Sequence, residues 1–227
     1  MTEHKDSLIV DSLDGEQYLP VIVLYGPNGG GKSTVLESLK FLSAFVLSKI
    51  LTSQLDMQEL KNDKKTIMKI MTAADLKEKY HKFDIRCKEL LSNFDVLFKT
   101  KKREFKYQLS LLHNQIVEEN LYMRRIGSKD AEIIFERSQY ETFLGEDLEG
   151  IVVEKLKSAM PLLSHVAINY DVDAIEDVIT WFSDIQILDY DNSIKDRQNI
   201  FPKDDKLKKT MFAVFREMDV NISEFKD

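Results

Sequence analysis

Gly26-Pro27-Asn28-Gly29-Gly30-Gly31-Lys32-Ser33-Thr34 decides how this chain is read, because four of its eight glycines fall in this one stretch. The spacing is G-x-x-x-x-G-K-S, the pattern of a phosphate-binding P-loop. Glycine lets the backbone curl until successive N–H groups point inward, and a helix start behind the loop adds partial positive charge. On this pattern Lys32 reaches the β- and γ-phosphates as a point charge, and the Ser33 hydroxyl ligates Mg²⁺. The flanking sequence agrees. Val21-Ile22-Val23-Leu24-Tyr25 is an uninterrupted apolar run, expected for a central strand covered on both faces. Val35, Leu36, Leu39, Leu42, Val46 and Ile50 then recur at helical spacing, which predicts a helix from Ser33 to about Leu51.

The rest of the composition sets bounds. At 227 residues with scarce Gly and Pro, the chain is long enough for one large domain or two small ones, without long disordered linkers. A net charge of −7 argues against a basic surface dominating the molecule. The single cysteine, Cys87, has no internal disulfide partner, which fits a reducing compartment, and it reads as an inert small side chain. No stretch has the roughly 18 to 20 uninterrupted apolar residues of a membrane span, and Met1-Thr2-Glu3-His4-Lys5-Asp6 lacks the form of a secretory signal. The expectation is a cytoplasmic protein with no membrane partner.

Upstream of the loop, Leu8-Ile9-Val10 and the segment from Leu19 read as two short strands around an Asp14-Gly15 turn. Residues 56–82 are more polar and read as two surface helices. A β-rich stretch follows. Phe94 to Phe98 alternates, Phe105, Tyr107, Leu109 and Leu111 alternate in a strand reaching His113-Asn114, and Ile116 to Met123 and Ala131 to Glu136 supply two more strands. Short turns between such runs predict an antiparallel meander with one covered face, a separate layer or lobe from the loop's parallel sheet. Its first turn is basic, with Lys99, Lys101, Lys102, Arg103 and Lys106 close to Phe105 and Tyr107. Phosphate contact and base stacking on nucleic acid is one reading; a solvated hairpin tip suits the acidic chain better. Beyond Pro161 the pattern is helical: a short helix from Leu162 to Asn169, then a helix marked by Ile175, Val178, Ile179, Phe182 and Ile185, opened by a capping box at Asp173-Ala174-Ile175-Glu176. Residues 191–205 read as a loop, 206–218 as a last helix and 220–225 as the beginning of a strand.

ATP hydrolysis at a P-loop also needs an acid at the end of a second apolar strand. Ile185-Gln186-Ile187-Leu188-Asp189 is the nearest match, but Gln186 interrupts it and Tyr190 follows; Val10-Asp11 is too short. No L-S-G-G-Q-like segment occurs, and His4, His81, His113 and His165 are too dispersed for a metal site.

Tyr25-Gly26-Pro27-Asn28 and the residues around it resemble the P-loop of RecF/SMC-like ABC-type ATPases, and more closely the AAA-annotated members associated with abortive phage infection. The resemblance continues through Phe94 to Phe98, Phe105-Lys106-Tyr107, Ile116 to Tyr122, Phe135-Glu136-Arg137, Trp181-Phe182 and Met218 to Ile222. It implies an α/β P-loop NTPase core of ABC/SMC-head type with an antiparallel β lobe and a helical segment. The expected divisions are 1–55 for the loop unit, 56–145 for helices plus lobe, and 146–227 for the helical region. Carried over, Gly26, Pro27, Asn28, Gly29, Gly30 and Gly31 cradle phosphates, Lys32 pairs with them, Ser33 holds Mg²⁺ and Thr34 meets the α-phosphate. Such heads sandwich ATP between two copies or a partner chain, so a homodimer or companion chain and an effector protein are the implied partners. Nucleic acid stays open. The signature, the acid-bearing strand and the switch histidine of the family lie beyond the matched region, which implies an incomplete head whose hydrolysis depends on segments supplied from elsewhere. Two other classes compete: a small P-loop kinase, and an interaction module that keeps the loop for structure alone.

Overall fold

A computed structural model of the protein describes residues 8–54, 89–100, 102–153 and 156–187. The chain divides into compact units at Met1–Ile185 and Gln186–Asp227, and nearly all described residues belong to the first. The helices expected in 56–82 and 206–218, the loop at 191–205 and the strand at 220–225 lie outside the described residues.

The first unit is an antiparallel sheet with helices on one face. Strands β1 (Ile9–Val10) and β2 (Gln17–Tyr18) form a small hairpin. Helix α1 runs Lys32–Gln54. Strands β3 (Ser92–Lys99), β4 (Arg103–Leu112), β5 (Gln115–Arg125), β6 (Glu132–Ser138) and β7 (Thr142–Leu144) make a five-stranded meander in sequence order, every pair antiparallel. A 3₁₀ turn at Glu146–Leu148 leads on to α2 (Leu162–Asn169) and α3 (Asp173–Asp184).

Alternation decides which face of the sheet is covered. In β4, Phe105, Tyr107, Leu109 and Leu111 are buried while the residues between them face outward. Their neighbours Phe98, Leu121 and Met123 join Leu42 and Val46 of α1, Leu162, Leu163 and Val166 of α2, and Ile175, Val178 and Phe182 of α3 in one core. Aromatic rings stitch the layers together. Phe98 stacks on Trp181 at 4.0 Å between centroids, Phe41 stacks on Phe94 at 5.5 Å, and Tyr107 meets Phe182 edge-on at 5.7 Å. The meander is therefore a layer that shares its core with the helix following the P-loop.

Three local expectations are corrected. Strand β4 stops at Leu112, because His113 and Asn114 take φ of 52° and 61° and form the tight hairpin turn whose handedness matches strand twist. The helix at 173 begins without a capping box: its N-cap is Val172, which offers no side-chain acceptor, and Asp173 is already helical. Most consequentially, Val21-Ile22-Val23-Leu24-Tyr25 forms no strand. These residues are 70, 75, 60, 53 and 88% exposed, and both sheets among the described residues are antiparallel and lie elsewhere in sequence. A run apolar on both faces becomes a strand only between neighbouring strands, because each edge must satisfy its N–H and C=O groups. No such neighbour occurs among the described residues, so the parallel sheet expected here is not seen.

The lower part of the core is held by a buried polar junction. Glu119 sits on the inward register of β5, fully buried. Its carboxylate accepts from the backbone N–H groups of Leu162 at 2.6 Å and Leu163 at 3.0 Å, from the Tyr107 hydroxyl at 3.0 Å and from Arg137 at 3.4 Å. It thereby caps α2 from across the sheet, a task Pro161 at the N-cap position cannot perform. Burial pushes the Glu119 carboxyl up, and the two backbone donors and the Arg137 guanidinium pull it back. Arg137 completes its own bonding on the carbonyls of Met160 at 2.7 Å and Lys157 at 3.3 Å.

Candidate functional site

The glycine-rich stretch forms a compact loop that runs straight into α1. Gly29 and Gly31 adopt φ of +82° and +81°, the left-handed region that glycine tolerates and other residues resist. The Gly30 N–H closes a turn onto the Pro27 carbonyl at 3.0 Å, and Thr34 N–H bonds the Gly31 carbonyl at 3.1 Å. A Cβ at Gly30 would stand 3.0 Å from that same carbonyl, so the turn is tight as well as twisted. Lys32, the first residue of α1, folds its side chain back over the loop and donates from Nζ to the carbonyls of Gly26 and Pro27, each at 2.7 Å. The loop is thus closed on itself by the side chain that the sequence pattern assigns to phosphate. The first turn of α1 carries no acidic residue, leaving the positive end of the helix uncompensated. Ser33 and Thr34 occupy the next two positions of that turn.

Gly26, Pro27, Asn28, Gly29, Gly30, Gly31, Lys32, Ser33 and Thr34 are therefore brought together by one loop and one helix start. The second half of α1 is anchored. Ser43 Oγ donates to the Phe182 carbonyl at 3.1 Å, and the buried Ser164 Oγ donates to the Val46 carbonyl at 2.8 Å. The start of the helix, residues 33–37, stands clear of the core, with Val35 and Leu36 at 56 and 50% exposure. The helix holds the loop out from the folded layers on a fixed base.

Three of the five cations of the basic turn, Lys99, Arg103 and Lys106, are ion-paired, while Lys101 lies outside the described residues. Lys99 bridges Asp11, at 2.7 Å, and Asp14 of the β1–β2 hairpin. Arg103 bonds Asp177 of α3 at 2.7 Å, and Lys106 lies 3.5 Å from Asp95. Hydrogen bonds from Lys99 hold the Asp11 and Asp14 carboxyls below the ordinary carboxylate range. These three cations are committed within the fold and have little left for phosphate. Nothing in the local sequence signalled these pairings, since their acids lie between 74 and 88 positions away, apart from Asp95. Asp14, Glu16 and Glu104 approach one another closely enough to share a cation. Lys99 and Arg124 already supply positive charge to Asp14 and Glu104, and Glu16 accepts from the Tyr18 hydroxyl.

Val10-Asp11, too short as an acid-bearing strand, has its acid spent on Lys99. Of the weak match beginning at Ile185, residues 185–187 are not in a strand and the remainder lies outside the described residues.

A family model described as "AAA domain, putative AbiEii toxin, Type IV TA system" matches residues 21–147, which is over half of the chain. The match opens at the apolar run before the loop and takes in the loop, α1 and the whole meander. No curated protein and no solved structure gives a match. Among the described residues, no helix is long and apolar enough to cross a membrane.

Proposed function

Because the chain belongs to the AAA-domain family that carries the AbiEii toxin and type IV TA system description, we propose that it binds ATP with Mg²⁺ and acts as a RecF/SMC-like ATPase head. The observation that carries this reading is the loop itself: two glycines with left-handed φ, a helix starting at the lysine, and Lys32 Nζ already over the loop mouth. Such a cradle fits the phosphates of a nucleotide. Gly26 to Gly31 supply backbone donors, and Lys32 exchanges two carbonyl acceptors for charged phosphate oxygens, which bind it more strongly. Ser33 is the hydroxyl for the metal and Thr34 the contact for the α-phosphate. Bound Mg²⁺ would supply neutralisation of charge on the phosphates.

Head-to-tail engagement of two heads through nucleotide, with a second copy or a companion chain, follows from the same reading. Residues 21–25 and the exposed Val35 and Leu36 leave apolar surface on both sides of the loop for it. Hydrolysis in this scheme depends on an acid-bearing strand and a signature segment that the described residues do not provide, and the family description, naming the AbiEii toxin and a type IV TA system, supports a toxin–antitoxin role, proposed here to serve phage defence. A kinase reading gains nothing, since Arg124 of the chain's Arg124-Arg125 pair is bonded to Glu104 within the sheet.

Thermal unfolding with and without ATP–Mg²⁺, beside Lys32→Ala, tests the site. Ligand at about 100 times its Kd adds roughly 2.7 kcal/mol to the wild type, and the variant should show little of it. An equal response in both, or none in either, removes the ATP assignment and leaves the loop a structural element. Turnover by the purified chain that depends on Lys32 would show that no second segment is needed.

A further inference from the structure

The outer face of the meander, opposite the helices, is mostly self-neutralised. Lys106 and Gln108 meet Asp95, and Arg124 meets Glu104. Its β5–β6–β7 end is different. There a groove of about 380 Å³ is lined by Glu118, Asn120, Tyr122, Glu136, Glu141 and Phe143, among others, and by Arg137. The Arg137 charge is already taken by Glu119 and two carbonyls beneath the sheet. Glu118 accepts from Asn120 at 2.9 Å and Glu136 from the Tyr122 hydroxyl at 2.7 Å, both neutral donors. None of Glu118, Glu136 and Glu141 is ion-paired among the described residues. Three carboxylates thus line one concavity whose lining cation, Arg137, is committed elsewhere, beside a phenyl ring that is 53% exposed.

We propose that this groove docks an arginine- or lysine-rich segment of a partner protein. The chemistry is complementary on three counts. The carboxylates offer oxygens to a guanidinium or ammonium head. Phe143 and the Tyr122 ring offer apolar and π surface to the side-chain stem and cation. The volume of about 380 Å³ lies at the small end of the range of about 300 to 1,000 Å³ for small-molecule pockets, which leaves room for a side-chain head group. Tyr122 holds its proton firmly, its hydroxyl pushed up to about 12 by burial and by Glu136, so the groove keeps the same donor pattern across physiological pH. The sign of the charge turns nucleic acid away from this face.

The test uses the full chain and a fluorescein-labelled nonapeptide of alternating arginine and serine, read by anisotropy. Glu118→Gln, Glu136→Gln and Glu141→Gln together should weaken binding by about tenfold or more, since the head groups lose all three charges. Glu132→Gln, Glu146→Gln and Glu149→Gln change net charge equally outside the groove and should weaken it by no more than about twofold. Amide exchange should show protection of β5 to β7 on peptide addition, with the ATP–Mg²⁺ response unaltered. Equal weakening by the two triple variants reduces the effect to the protein's overall charge and overturns the proposal. So does protection elsewhere, absence of binding, or displacement of the peptide by spermine at equal charge, which would make the groove a polyamine site. If the groove triple variant loses its fold, Phe143→Ser decides: unchanged peptide affinity overturns the proposal, and a several-fold loss supports it.

Discussion

Replacing Glu119 by alanine removes one side chain and strands four donors. The backbone N–H groups of Leu162 and Leu163 and the Tyr107 hydroxyl lose their acceptor in a site with no exposure, and Arg137 loses its countercharge. A buried donor left unsatisfied costs about 1 to 3 kcal/mol, and stranding a buried ion costs about 3 to 5 kcal/mol. Arg137 keeps two carbonyl acceptors, and α2 can shift to admit water, so the lower part of these ranges applies. The expected loss is about 6 kcal/mol, or a fall in Tm on the order of 12–24 °C for a chain of this size. Glu119→Gln keeps an acceptor for one or two donors and should lose about half as much. Urea unfolding followed by the fluorescence of Trp181 measures both, because that ring stacks on Phe98 between sheet and α3 and reports their separation. Amide exchange adds the location: Leu162 and Leu163 should lose protection before the strands do. Should Glu119→Ala come within about 0.5 kcal/mol of the wild type with these two amides unaffected, the junction would be incidental to stability, and the reasoning from stranded donors would fail.

Two further perturbations follow from single contacts. Asp11 and Asp14 have folded-state carboxyls below the ordinary 3.8, so their stabilisation through Lys99 is present above that value and disappears as pH falls through the lowered ones. Amide exchange at Asp11 and Gly15, whose N–H groups close the β1–β2 turn, should therefore accelerate in acid beyond its intrinsic pH dependence, and Lys99→Met should abolish that extra acceleration; identical profiles would disconnect the hairpin from Lys99. A Cβ at Gly145 would stand 1.7 Å from the Ile133 carbonyl oxygen, and the Gly145 N–H bonds Ile134 at 2.8 Å. Gly145→Ala must push β6 and the 3₁₀ turn apart, at about 3 kcal/mol, and a melting temperature equal to the wild type would contradict that contact.

Legibility in the sequence tracked the range over which the physics acts. Alternation is local, so the four strands expected between Phe94 and Glu136 appear as β3 to β6, and helical spacing placed α1, α2 and α3 within a few residues. The loop was legible for the same reason: Gly29 and Gly31 are needed for their own backbone angles. Strand β7 was missed because three residues are too few to show a period. Val21 to Tyr25 misled because an apolar run states what it requires, while the strands that would satisfy it are not specified nearby. Glu119 could have been noticed. A glutamate on the same parity as Leu121 and Met123 marks a buried carboxylate, but its partners at positions 107, 137, 162 and 163 come together only in the fold.

The exposed run from Val21 to Tyr25 also governs how the protein behaves as a solute. It contains no charge, its Val and Ile residues favour extended backbone, and the nearest proline, Pro20, lies just outside it. Such a window is the kind of segment that pairs with its own copies into intermolecular β-structure. The net charge of −7 supplies a long-range repulsion that holds molecules apart in dilute, low-salt solution. Salt removes that barrier without touching the apolar attraction. Colloidal stability of this chain is therefore set by ionic strength, and whatever covers these five residues will act as a solubiliser as well as a partner.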